Sequence, residues 1–232
     1  MSAREFVDED LAGARFVRPD LSGAQLRAAH VDGMDIDAPW LSKLVVNGVD
    51  VAPYVDAELN RRFPGRELRR ATEPDALRAA WAACRSAWDR AVAGVPRDAV
   101  DVQVGGEWSF AQTLRHLVMA TDTWFRGAVL EVADPYHPIG QPHAEYETDG
   151  FDLSVFTESS PTYERVLEVR AEHVATVTDF LASATAEDLV VLRQHPWGPG
   201  RQVTTLACLH VILEEEWEHL RYALRDLAVI AG

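Results

Sequence analysis

The sequence predicts a mainly α protein, a four-helix bundle preceded by a short repetitive segment. Three observations carry that expectation. Four long stretches between residues 72 and 230 place apolar side chains three and four apart, the period of a helix with one buried face. Start and stop signals bracket these stretches. The first forty residues instead carry an apolar repeat of period five, which fits neither helix nor strand.

In that repeat, Phe6, Leu11, Phe16, Leu21, Leu26, Val31, Ile36 and Leu41 recur without a break. Five residues turn a helix by about 140° beyond a full circle, so the set would spiral around its surface. On a strand an odd period changes face at every step. Small or turn-compatible residues flank the centres, as in Asp10-Leu11-Ala12-Gly13-Ala14 and Asp20-Leu21-Ser22-Gly23-Ala24. Residues 5–43 resemble the pentapeptide-repeat family, although Pro19, Met34 and Pro39 replace the small residue two before the centre. The resemblance implies a short two-coil β-helix. Too few repeats are present for it to stand alone, so docking on the rest of the chain is expected. The expected domains are 1–51 for this segment, 52–71 for a linker with a short helix, and 72–232 for the bundle.

Residues 44–51 place Asn47-Gly48 between apolar residues, a hairpin or turn signal. A short helix is expected over 53–63, and Pro64-Gly65 then breaks the chain. Thr72 and Asp75 have the spacing of a capping box, with Pro74 in the first turn. Leu77, Trp81, Cys84, Trp88 and Ala91 follow as a core stripe, which Gly94 and Pro96 end. Ser109 is the N-cap expected for a helix over 110–130, with Phe110, Leu114, Leu117, Thr121, Trp124 and Ala128 inward. His116 lies off the centre of that stripe. Residues 134–160 are a loop rich in Pro, Gly, Tyr, His and acids, long enough to form the lid or wall of a site. His137 and His143 within it read as surface histidines. Ser160-Pro161 leads into a helix over 162–182, with Leu167, Val174, Val177 and Leu181 inward. A second loop spans 184–200, and Thr204 or Thr205 opens the last helix.

The formal net charge of −15 argues against nucleic acid and anionic membranes as partners, because both require neutralising Lys and Arg. No run approaches the roughly 20 apolar residues of a membrane span. The start MSAREFVDEDL lacks the basic end and apolar core of a signal peptide, so a cytoplasmic location is expected. With only two cysteines, Cys84 and Cys208, the number alone argues against a disulfide framework, and both read as core. Lys43 is the only lysine among 22 basic residues, a composition that suggests a high-GC bacterial genome.

The last helical stretch holds the densest cluster of metal-ligating side chains. Glu215 and His219 are four apart, one helical turn, and can take two positions on one ion. The candidate third ligand is His116. A helical wheel puts Glu216 near the middle of the stripe Leu209, Ile212, Leu213, Leu220, Ala223 and Leu227, His219 at its edge and Glu215 further out. A buried Glu216 needs a partner, and it stays open as a substitute for Glu215. His210 is expected to pair with Glu214 on the outer face.

Trp108-Ser109 followed by Leu114-Arg115-His116-Leu117, and Glu215-Glu216-Trp217-Glu218-His219-Leu220-Arg221, resemble motifs of the DinB-like family of four-helix bacterial proteins. Its second helix opens Trp-Ser/Thr and carries Leu-x-His-Leu, and its last carries His-Glu-x-x-His-Arg. The resemblance spans residues 72–230. It implies a divalent metal (Zn, Ni, Mn or Fe) on His116, Glu215 and His219, with Glu215 standing where a histidine is usual. A His₂Glu set with an open fourth position is an established zinc arrangement, and a carboxylate favours harder cations such as Mn or Fe. The family further implies thiol-dependent chemistry, an S-transferase or isomerase using a low-molecular-weight thiol such as mycothiol on a small electrophile. The loop 134–160 would shape the pocket, with Glu216 and Tyr222 as candidates for proton transfer or ligand support. The family also implies a homodimer. The alternative is a non-catalytic interaction or scaffold module presenting the repeat.

Overall fold

The computed structural model describes residues 5–39, 41–198 and 200–232. Met1 to Arg4 and Trp40 of the N-terminal stretch and Pro199 of the second loop lie outside them. The chain divides into two compact units, Met1–Ala38 and Pro39–Gly232.

In the first unit the backbone carries the five-residue period. Asp8, Gly13, Arg18, Gly23, Ala28 and Gly33, each two residues after an apolar centre, have positive φ. Every second one closes a hydrogen-bonded turn, from the N–H of Ala14, Ala24 and Met34 to the carbonyls of Leu11, Leu21 and Val31. The β-helix expected here is not supported. Residues 5–38 carry no strand, and the centres stay about half exposed, from 47% at Leu11 to 64% at Leu26. A solenoid buries such centres between neighbouring coils, and so few repeats would leave every coil terminal.

The second unit opens with a two-residue hairpin, β1 (Val45–Val46) against β2 (Val49–Asp50). Asn47 and Gly48 have φ of 50° and 84°, the signs that a type I′ turn demands. The helices are α1 (Ala52–Arg62), α2 (Pro74–Gly94), α3 (Phe110–Thr121), α4 (Tyr163–Ser183), the short α5 (Ala186–Leu189) and α6 (Thr205–Ala231). Between α5 and α6, β3 (Leu192–Gln194) pairs antiparallel with β4 (Gln202–Thr204), so the second loop holds structure of its own. No helix among the described residues is long and apolar enough to cross a membrane.

Local chemistry sets the helix ends. Ser109 and Gln112 form a full capping box on α3, and Thr162 and Thr204 cap α4 and α6. The box expected at Thr72 does not form. Glu73 is the N-cap of α2 with no side-chain cap, and the helix starts on Pro74. After Thr121, α3 widens into a single π turn, Asp122–Gly127, instead of running straight to residue 130.

Contacts between distant residues fix the helix directions. Trp81 Nε1 donates to Thr178 Oγ1 at 2.9 Å, and Arg78 reaches the Leu181 carbonyl, so α2 and α4 are antiparallel. Phe110 meets Tyr163, and Asp122 meets His173, so α3 and α4 are parallel. Leu77 and Trp81 share a small void with Leu209 and Ile212, while Ala87 and Ala91 share a groove with Leu220 and Leu224. Hence α2 and α6 are parallel. The order is up-down-down-up, and two parallel neighbours cannot be joined by a tight turn. The long 134–160 segment is the crossover that carries the chain back along the bundle. Trp88, Leu114, Val166 and Trp217 pack in the common core, where burying each large side chain contributes about 1.5–3 kcal/mol.

Residues 52–70 pack into this unit rather than hanging as a slack linker. A 3₁₀ turn, Arg66–Arg70, buries two arginines against α1 and α6. Arg66 pairs with Asp56 and Glu218, and Arg69 with Asp56 and Glu214. Gly65 makes the approach possible: its φ is 98°, and a Cβ there would lie 2.7 Å from that of Ala83.

Candidate metal centre

The i, i+4 spacing on α6 places Glu215 and His219 on one side of that helix, and α3 carries His116 up to them. One ligand atom from each of the three lies within 4.8 Å of the others, a spread that a single cation can span. His219 Nε2 is 3.1 Å from Glu215 Oε2, a hydrogen bond, and His116 Nε2 is 3.6 Å from the same oxygen, beyond hydrogen-bond range. The side chains are 12%, 19% and 14% exposed for His116, Glu215 and His219, so the site lies in the wall of the bundle, open on one side.

The surroundings of the three groups bear on how they would meet a cation. His116 Nδ1 donates to the Gln141 carbonyl at 2.8 Å, which fixes the ring's orientation and turns Nε2 toward Glu215. Burial alone would raise the Glu215 carboxyl, but the His116 and His219 rings outweigh it and hold the group well below the ordinary carboxylate range. Burial pulls His219 below the ordinary histidine value, against the opposing pull of Glu215, and so favours the neutral ring. An ionised Glu215 and a neutral His219 ring are charge states that metal binding requires.

Trp108, which the sequence marked only as a helix opening, covers both imidazoles. Its ring centroid lies 4.5 Å from His116 and 5.8 Å from His219. Tyr222 stands on the other side of His219 at 5.8 Å, with the Arg221 and Arg225 guanidinium groups over its ring. Glu216 faces elsewhere. It is 1% exposed and pairs with Arg170 of α4 in the core, while Trp88 Nε1 donates to its backbone carbonyl. His210 does not pair with Glu214, because its Nε2 bonds the Ala71 carbonyl at 2.7 Å and Glu214 is taken by Arg69. Cys84 and Cys208 are fully buried, and burial raises both thiols, so neither presents a thiolate.

The crossover is strapped to the bundle beside the site. Arg115, next to His116, donates to the carbonyls of Ile139, Glu158 and Ser159. Buried Asp122 at the π turn accepts from the His137 N–H, from Arg126 and from His173 Nε2, each at 2.7–2.8 Å. Arg126 also holds the Pro135 carbonyl. The loop is therefore a fixed wall, and its carbonyl at Gln141 orients a ligand. His137 sits half-buried in this network, and His143 packs near Tyr146 and Trp197. Arg115→Met should cost about 2 kcal/mol, the value of hydrogen bonds from a charged donor, and should open residues 134–160 to protease while the helices persist. Unchanged cleavage kinetics would refute the strap.

A four-helix bundle with His and Glu donors converging from two of its helices is the architecture of a metal-binding helical bundle. The chain belongs to the DinB superfamily, which is metal-binding in general: residues 80–223, from within α2 to within α6, match that family and include all three donors. No curated protein and no solved structure matches the chain.

Proposed function

We propose that His116, Glu215 and His219 hold one divalent cation, and that the site serves thiol-dependent transfer or isomerisation on a small electrophile. The observation carrying this reading is the convergence of the three donors within 4.8 Å, one of them fixed by a loop carbonyl. A divalent ion held there would supply a Lewis acid able to lower the pKa of a bound thiol towards neutral pH. Glu215 partly neutralises that charge and favours a harder cation than three histidines would. Gln141 holds His116 in register, and Trp108 keeps water from one side of the two rings. Tyr222, whose ring lies 5.8 Å from that of His219, is the candidate for moving a proton. Glu216, paired with Arg170, supports the helix that carries Glu215 and His219.

The thiol class rests on the family and on the arginine-rich, lysine-poor composition, which suggests a high-GC bacterial genome and, with it, mycothiol. The test is elemental analysis of untagged protein purified without chelator, followed by thiol-consumption assays with mycothiol and a reactive electrophile. About one equivalent of Zn, Ni, Mn or Fe with a protein-dependent rate is expected. Absence of metal, with none taken up on titration, would refute the metal reading. Metal with no rate for any thiol would refute the transfer reading alone.

A further inference from the structure

On the opposite side of α6 from His219 lies a groove of about 450 Å³, within the size range of small-molecule sites. Its floor is apolar: Ala91 of α2, Leu220 and Leu224 of α6, and Phe63 from the turn after α1. Two cations flank that floor from different elements, Arg62 at the end of α1 and Arg90 on α2. Neither is fully neutralised. Arg90 donates to Ser86 Oγ and makes no ion pair among the described residues. Arg62 uses its Nε on Glu58 and is 62% exposed, which leaves its terminal nitrogens facing solvent.

On a chain with net charge −15, two incompletely paired guanidinium groups at one apolar groove stand out. Most other arginines of the unit, such as Arg66, Arg69 and Arg170, are matched to carboxylates. An apolar floor selects a hydrocarbon or aryl body, and a guanidinium fork selects a planar carboxylate, which it binds through paired N–H donors. We propose that this groove binds an amphipathic monocarboxylate, a medium-chain or aryl acid, with its tail on Leu220 and Leu224 and its carboxylate between Arg62 and Arg90. The site is separate from the metal centre, sharing none of its donors.

The test uses the full chain and isothermal titration with decanoate, decanol and acetate, in the parent protein and in Arg62→Gln/Arg90→Gln. Both arginines are exposed at the groove edge, so the double variant should melt with the parent and keep its metal content. Saturable one-to-one binding of decanoate is expected, at least tenfold tighter than decanol, with no measurable binding of acetate. The double variant should lose that tenfold preference. Leu224→Trp, which fills the groove, should abolish binding while both arginines remain. Decanol binding as tightly as decanoate, or decanoate binding indifferent to the double substitution, would overturn the proposal in favour of simple apolar adsorption. Sedimentation run alongside reads the other occupant: a dimer that the double variant or decanoate dissociates would assign the groove to a second copy and also overturn it.

Discussion

Arg170→Met is expected to lower the stability of the bundle by about 3–5 kcal/mol, the cost of leaving one member of a buried ion pair alone. Glu216 is 1% exposed and Arg170 4%, so neither can turn to water when its partner is removed. Their contact satisfies little else, since Nε and Nη1 of Arg170 and Oε2 of Glu216 have no hydrogen-bond partner. A pair so sparsely bonded recovers only part of its desolvation cost. Arg170→Met/Glu216→Leu should therefore regain most of the loss or exceed the parent. The Trp88 bond survives, because it goes to the backbone carbonyl of residue 216. Urea denaturation of the four proteins of this cycle gives the coupling. A single variant within 1 kcal/mol of the parent, or a double no better than the single, would contradict the account. The double variant also separates the two adjacent acids on α6: it lacks the Glu216 carboxylate and should still take up one equivalent of metal through Glu215.

His219→Ala should release the metal, with Glu215→Gln weakening it by at least tenfold, while the helical far-UV signal of both matches the parent. These side chains are partly exposed, so neither change opens a core cavity. Acid should act in the same direction. The folded pKa of His219 lies below its ordinary 6.5, so the neutral ring's contribution to stability is present above 6.5 and is lost as pH falls towards the lowered value. Glu215 is likewise depressed, and its contribution is present above about 4.5 and lost only in stronger acid. Protons therefore compete first at His219, and metal occupancy should fall as pH drops from 7 through 5, read by equilibrium dialysis at fixed metal concentration. Occupancy flat across that range would count against His219 as a donor.

Much of the bundle was written locally. The stripe from Leu77 to Ala91, the caps at Ser109, Thr162 and Thr204, and the Asn47-Gly48 turn all depend on residues within a few positions of one another. Such features can be read from the sequence because helical period and turn chemistry are short-range. The Glu215–His219 spacing was legible for the same reason. That His116 meets them came from motif resemblance, since its own helix periodicity did not turn it inward.

Tertiary structure decided the rest. Glu216 required a partner, yet nothing in the sequence named Arg170, which lies 46 residues away. His210 found the Ala71 carbonyl and not Glu214, and His116 is oriented by the Gln141 carbonyl. Backbone acceptors carry no residue code, so no pattern announces them. Arg115, an unassigned position in the Leu-x-His-Leu motif, became the strap of the crossover, and the loop's length followed from α3 and α4 running parallel. The period-five repeat marked its turns but did not secure strands. Turns need only neighbouring residues, whereas strands and a buried core need pairing across coils, which so few repeats do not supply. The sequence by itself thus determined the long helices and the Glu215–His219 spacing on α6, and left Glu216 open as the alternative donor. Which distant side chains and carbonyls close around those donors was settled only by how the helices pack.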